Sequence, residues 1–389
     1  MPNRYRTTLS SFLAYFVMSG MLAPIGIISG PMAAAFDLPV TAVTARFGWL
    51  TMGIFVGAVM ALFVFQWLRI RTLIVGVYAL IALSLVVLPG SQNLAWVGLS
   101  LGMVGVCCGV GLPAAALVIS RTYNEAHRAS MLVITDGFFS VAGIVCAWLA
   151  VWFVARQGHW ASVYLFVASV AAAVAVLAWL SSYPETDDYE APDPSPSAWP
   201  LAAWLCIAAL CAYTLAQNTI LWWLPQHAQQ HLQATPAAAG NLISQFWSGM
   251  FAAQVFVAWW VLKIGVVRLL WLAVAGTFVF SLPLWWVADI KALWMLSMLW
   301  GFANLGLLKV ALSYASQFTA IASPRLVSGL LLGATTGTAI SPWISSRIVA
   351  LGDPAWALRF GSAVYLCMVL LLLCAGWSWR ARRIRPATS

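Results

Sequence analysis

Residues 181–200 read SSYPETDDYEAPDPSPSAWP, and this stretch divides the chain. Glu185, Asp187, Asp188, Glu190 and Asp193 give it five acidic residues, and four prolines precede Pro200. Such a segment cannot bury enough apolar surface to offset the entropy of ordering it, so it reads as a flexible hydrophilic linker. The other connections are short. The predicted organisation is a first bundle over 1–182, a linker over 183–198, and a second bundle over 199–389 with a short basic tail.

On both sides of the linker the sequence is strongly apolar. Hydrophobic residues make up 63% of the 389 and charged residues 7%, against roughly 45–50% and about 25% in soluble domains. A soluble chain of this size needs far more polar surface to cover its exterior. Twelve spans of about 20 residues take roughly 240, and 63% of 389 supplies about 245 apolar residues. The composition excludes a soluble enzyme, a disordered chain and a nucleic-acid-binding domain. It predicts a polytopic, all-α membrane protein with a bilayer as its partner and no nucleic acid.

Twelve apolar segments can be counted: 8–32, 46–66, 71–89, 94–119, 130–154, 161–182, 199–224, 238–261, 267–287, 292–316, 326–347 and 357–379. Six precede the linker and six follow it. Met1 to Ser11 carries Arg4 and Arg6 but leads into a full-length span without a small-residue cleavage site, so it reads as a retained first helix. Thirteen Lys and Arg fall in loops on one side of the bilayer (Arg4, Arg6, Arg69, Arg71, Arg121 and Arg128 in the first half), and five on the other. The positive-inside rule then places both termini and the linker in the cytoplasm. The net charge of +9 follows the membrane rather than a nucleic-acid face. Cys107, Cys108, Cys146, Cys206, Cys211, Cys367 and Cys374 all lie in apolar stretches and are expected as small core residues.

The two halves repeat at an offset near 197. Trp49-Leu50-Thr51 falls on Phe246-Trp247-Ser248, and Arg128 before the fifth span falls on Arg325 before the eleventh. Parallel halves related by an axis along the membrane normal are a build used for alternating access. Gln245, Arg128 and Arg325 are the residues expected where the halves meet.

This layout resembles the major facilitator superfamily over almost the whole chain. More narrowly, Ile134-Thr135-Asp136-Gly137-Phe138-Phe139-Ser140-Val141-Ala142-Gly143, Trp223-Leu224-Pro225, Leu242-Ile243-Ser244-Gln245-Phe246-Trp247 and Ser323-Pro324-Arg325-Leu326-Val327 look like the TsgA-type transporters, relatives of the fucose–proton symporter group. The resemblance implies twelve helices in two pseudo-symmetric six-helix bundles and a solute carrier of the bacterial inner membrane driven by an ion gradient. Two departures stand out. The loop after the second span, Phe65-Gln66-Trp67-Leu68-Arg69-Ile70-Arg71, keeps basic residues but lacks the superfamily's usual Gly and Asp. The fucose-type carriers have acidic residues in the first and fourth helices; Gly20–Gly30 and Gly109–Ser120 contain none.

An ionisable side chain in hydrocarbon costs about 2.5–3.5 kcal/mol on insertion scales, so each one needs a reason. Asp136 is the acidic residue well inside a span, expected near Gln245 of the eighth span. It serves either as a proton-coupling or gating group or as a structural lock between the halves. Lys309, inside the tenth span, either holds an anionic solute or snorkels toward water. Tyr213, Thr214, Gln217, Asn218 and Thr219 on the seventh span, with Asn304, Ser313 and Tyr314 on the tenth, form a polar patch. Tyr213, Gln217, Asn218, Asn304 and Lys309 are the candidate solute contacts, amides bonding to hydroxyls or carbonyls while rings cover an apolar face. The same residue types also bond helices together in membranes. Gly and Pro in spans one, four and eleven fit close packing or hinges, and Trp near span ends fits interfacial anchoring.

The four His lie in or beside predicted loops, and the His227/His231 pair at i, i+4 lacks a third metal ligand. No Gly-Lys-Ser/Thr phosphate loop is present. No enzyme chemistry, metal or cofactor is expected. The predicted function is proton-coupled secondary transport of a small solute by a monomer. The alternatives are an exporter of toxic compounds and a non-transporting membrane sensor or scaffold.

Overall fold

The computed structural model describes residues 3–183, 199–304, 311, 314–315 and 324–384. The linker residues 184–198, and with them the predicted linker's structure, lie outside these. The described chain is helical, in thirteen helices. Those before the linker are α1 (Asn3–Leu22), α2 (Ile25–Phe36), α3 (Val40–Trp67), α4 (Ile70–Val87), α5 (Leu94–Thr122), α6 (Glu125–Ala155) and α7 (Ser162–Trp179). Those after it are α8 (Leu201–His231), α9 (Pro236–Ile264), α10 (Val266–Ser281), α11 (Ile290–Asn304), α12 (Pro324–Ala350) and α13 (Pro354–Ile384).

Every predicted segment holds a helix, and the first holds two. Pro24 lacks an N–H and its ring crowds the preceding turn, so α1 and α2 meet at a 51° bend within one span. Among the described residues eight helices are long and apolar enough to cross a membrane, or nine with this bent pair taken as one. α8 departs from expectation. It continues through Pro225 to His231, seven residues past the predicted end at 224, so His227 and His231 belong to a helix and not to a loop.

Within each lobe the second and fourth spans lie backbone to backbone. A Cβ on Gly57 would sit 2.2 Å from Val106 O, and one on Gly109 would sit 2.3 Å from Ile54 O. The second lobe repeats this between α9 and α11, where a Cβ on Gly301 would sit 2.0 Å from Phe246 O. Lipid gives no hydrophobic drive between helices, so van der Waals contact at small residues holds such pairs. Four of the Cys are buried as expected. Cys367 and Cys374 instead lie exposed on α13, and Cys211 is intermediate. Not all Trp sit at span ends: Trp222, Trp223 and Trp300 are among the largest fully buried side chains.

The end of the bundle where the chain begins is rich in arginine, and several of these side chains close the first lobe. Arg6 donates to Leu180 O (3.0 Å), and Arg71 donates to Trp179 O, so two cations meet the carbonyl end of α7. Asn3 pairs with Ser182 twice, through Nδ2 to the carbonyl (2.7 Å) and through Oδ1 from the amide (2.8 Å).

The lobes meet along two antiparallel seams, α6 on α9 and α3 on α12. On the first, Gln254 meets Asp136, Trp247 packs on Gly143, and Gly240 packs on Val151. On the second, Trp343 packs on Gly48, and Thr51 Oγ1 donates to Ala339 O (3.1 Å). Exchanging the lobes exchanges these seams, as the repeat in the sequence requires.

Candidate functional site

At the far end from the arginines the lobes are sealed. α2 lies on α8 so closely that a Cβ on Gly26 would stand 2.7 Å from Trp222 O, and one on Gly30 would stand 3.0 Å from Gln226 Nε2. A Cβ on Gly240 would likewise meet Val151 Cγ2 at 2.4 Å. Toward the arginine-rich end a cavity of about 280 Å³ separates α3 and α5 from α12. Ala58, Ala61, Leu62, Phe65, Pro113 and Leu117 line one side; Ser328, Leu331, Leu332 and Thr335 line the other.

Asp136 lies six residues into the span that begins at Ser130. Its helix α6 rests on α1 through a stacked pair, Phe12 and Phe138, with centroids 4.6 Å apart. From the second lobe Gln254 Nε2 donates to the Asp136 carbonyl (3.3 Å), while the buried Gln254 Oε1 has no partner among the described residues.

The expected neighbour, Gln245, is not there. Gln254 lies nine residues further along α9 than Gln245, about 13 Å at ~1.5 Å per residue. The antiparallel register sets Gln245 level with the Trp247–Gly143 contact instead, half-buried on the seam helix. Matching depth across two helices that run in opposite directions doubles any error in their starting points, which is the physical reason the expected partner differs from the one found. Arg128 is exposed near the start of α6; Arg325 occupies the first turn of α12, and its side chain lies outside the described residues.

The polar patch divides into three parts. Tyr213, Asn304 and Tyr365 form a buried network inside the second lobe: Tyr213 Oη donates to Asn304 O (3.1 Å), Asn304 Nδ2 to Trp300 O (2.7 Å), and Tyr365 Oη to Asn304 Oδ1 (3.1 Å). Asn304 is 1% exposed and Tyr213 4%, so neither faces open space in this state. A second part ties α8 to α12. Thr214 Oγ1 donates to Ala334 O (2.6 Å), Asn218 Nδ2 to Thr338 Oγ1 (3.1 Å), and Thr219 pairs with Ser341 (3.2 Å). Gln217 is the third: it turns toward α9, and its contact is a weak one from Nε2 to Met250 Sδ at 3.9 Å. Tyr314 is buried, and Lys309 and Ser313 lie outside the described residues.

Sequence reading missed Gln254, Tyr365 and Thr338, although α9 and α12 carry further polar residues such as Ser244 and Thr336. It also missed how deeply the end of α8 is buried. His227 is 2% exposed; its ring lies 4.7 Å from that of His231, whose Nε2 reaches Asp353 Oδ2 at 3.5 Å. Among the described residues no group of three His, Cys, Asp or Glu is placed to hold a metal.

Two glycine-packed helical lobes, joined along symmetry-related seams and closed together at one end, define a multi-pass membrane protein of the solute-transporter class. The chain belongs to the Major Facilitator Superfamily, whose family description matches residues 7–225, more than half its length. Over its full length it is similar to proteins named TsgA from Escherichia coli O6:K15:H31 (27% identity over 397 residues, 99% of the relative covered) and from Shigella dysenteriae serotype 1 (27% over 395, 99% covered). Among solved structures it is similar in fold to the peptide transporter POT (TM-score 0.76, 14% identity, 97% of this chain and 95% of that one covered). The nucleoside transporter NupG gives a TM-score of 0.72 at 11% identity, with 97% and 99% covered.

Proposed function

We propose that this protein is a secondary active transporter that moves a small solute across the bacterial inner membrane by alternating access, with Asp136 coupling the cycle to protons. The carrying observation is the asymmetry of the lobe interface: sealed backbone to backbone at the far end, with a cavity between α3, α5 and α12 at the arginine-rich end. With the arginine-rich end cytoplasmic, this is an inward-facing arrangement. The lobes rock about the seams, with Trp247 on Gly143 and Trp343 on Gly48 as the contacts that slide.

In this reading Asp136 is the group that couples the cycle to protons, because a carboxylate in a dry seam is costly. Gln254, bonded to the Asp136 main-chain carbonyl, is its neighbour across the seam. Gln217 contacts the solute, and Asn218 and Lys309 are further candidates. Tyr213 and Asn304 brace the wall behind them. Arg128 and Arg325 occupy equivalent places at the cytoplasmic starts of α6 and α12.

The test is flux in liposomes at several pH values, for solutes chosen by thermal-shift screening of the purified protein. Asp136→Asn is expected to abolish accumulation driven by a pH gradient and to retain counterflow. If both are unchanged, the coupling role is wrong. A second reading, export of an amphipathic toxic compound, is favoured by the apolar lining of the cavity between α3 and α12. Drug sensitivity of a deletion strain, relieved by the intact chain, separates it from uptake.

A further inference from the structure

Four consecutive-turn side chains on α8 carry buried nitrogens that bond to nothing among the described residues: Trp222 Nε1, Trp223 Nε1, Gln226 Nε2 and His227 Nδ1. Their residues are 1%, 1%, 6% and 2% exposed. At about 100° per residue they span roughly 140° of the helix circumference, one broad face rather than four directions. Three of the nitrogens are N–H donors, and the fourth belongs to an imidazole. The row begins five residues beyond Gln217 and ends at the sealed far end, where the Gln226 amide points at Gly30 of the other lobe.

A helix in a membrane does not hold a run of unsatisfied donors merely to pack, since apolar residues of similar shape pack as well without the desolvation cost. The α2–α8 contact that covers Trp222 and Gln226 joins the two lobes, and it is the contact that parts when the far end opens; Trp223 and His227 continue the row round the helix toward α13 of the same lobe. We infer that Trp222, Trp223, Gln226 and His227 form a solute-binding row, shut in this structure, that receives the carboxylate of a small solute with an apolar body.

The class follows from the chemistry of the row. N–H donors call for acceptor oxygens, and a carboxylate offers about four lone-pair sites without bringing a donor of its own. The two indoles supply flat apolar walls for the remainder of the molecule. The charged groups around His227 are His231, Asp353 and Arg359, with His231 Nε2 3.5 Å from Asp353 Oδ2. The inference rests on the transport reading, because a row closed between lobes serves a ligand only if the lobes separate.

The experiment uses the purified full chain and follows thermal unfolding in sodium benzoate, in benzamide, and in sodium chloride at matched ionic strength. Benzoate carries a ring and a carboxylate; benzamide carries the same ring without the charge. Benzoate is expected to raise Tm above the chloride control, and benzamide to leave it there. Gln226→Met removes a donor while keeping shape, whereas Trp222→Phe and Trp223→Phe remove the indole N–H together with one ring and leave a cavity. Gln226→Met is expected to leave the ligand-free Tm unchanged or higher, and the three together are expected to abolish the benzoate shift. A fall in ligand-free Tm for Gln226→Met would mean that its amide is satisfied structurally, and the row would be refuted. Persistence of the benzoate shift in the triple variant, or an equal shift with benzamide, would refute it too. Flux in liposomes separates the two claims: solute movement without a benzoate effect sinks the row alone, and a benzoate effect without movement of any solute sinks the transport reading.

Discussion

Trp247 of the second lobe rests directly on Gly143 of the first, where a Cβ would stand 2.3 Å from indole Cδ2. At the other seam Trp343 covers Gly48 in the same manner, with 2.4 Å to Cε2. In both contacts the first lobe contributes the glycine and the second the indole. A flat ring on a bare backbone gives a smooth surface without interlocking side chains, which suits two bodies that move against each other.

Gly143→Ala must therefore force the α6–α9 seam apart. Overpacking of this kind costs about 1–3 kcal/mol, so thermal unfolding in detergent should shift down, and Gly48→Ala should do the same. The two seams share no residues, so the double variant should lose the sum of the two. An unchanged Tm for both single variants would mean that the seams are loose.

Inside each lobe the glycine contacts are tighter still, because the opposing atom is a backbone carbonyl that cannot rotate away. Gly109→Leu and Gly301→Leu should exceed the usual overpacking cost of about 1–3 kcal/mol and prevent the lobe from forming. Size-exclusion profiles of the detergent-extracted protein would show aggregate in place of a single peak.

The Tyr365 hydroxyl donates to Asn304 Oδ1, and both residues are buried. Tyr365→Phe leaves that oxygen unsatisfied at a cost of about 1–3 kcal/mol. The substitution should lower Tm with little effect on solute affinity, because the network lies behind the wall. Gln217→Leu should do the reverse, weakening solute affinity in a binding titration while leaving Tm nearly unchanged.

The sidedness is open to direct measurement. Gln157 and Ser182 are both exposed, at opposite ends of the bundle. A membrane-impermeant thiol reagent should label Gln157→Cys in intact cells and Ser182→Cys only after permeabilisation, in a background lacking the native cysteines. The opposite pattern would invert the assigned topology.

Much of the architecture was legible before any coordinates. The apolar segments and the repeat linking Trp49 to Phe246 follow from bulk solvation and duplication, which act on stretches of residues. Asp136 was legible for the same reason, since a charge in an apolar span is conspicuous wherever it points. The place of Asn304 was not. Asn, Thr and Tyr bond to helices or to solutes with the same atoms, and only packing shows that Asn304 bonds to Tyr213, Tyr365 and Trp300 while Gln217 turns to the other side.

By itself the sequence determined that this chain crosses a membrane many times in two related halves, because the cost of moving side chains between water and lipid depends on composition over about 20 residues. Tertiary structure alone decided that Asp136 meets Gln254 rather than Gln245, that α8 runs on to bury His227, and that the lobes close at one end. Those outcomes depend on register, where a shift of two turns exchanges every partner, and on glycine contacts fixed by a few tenths of an ångström.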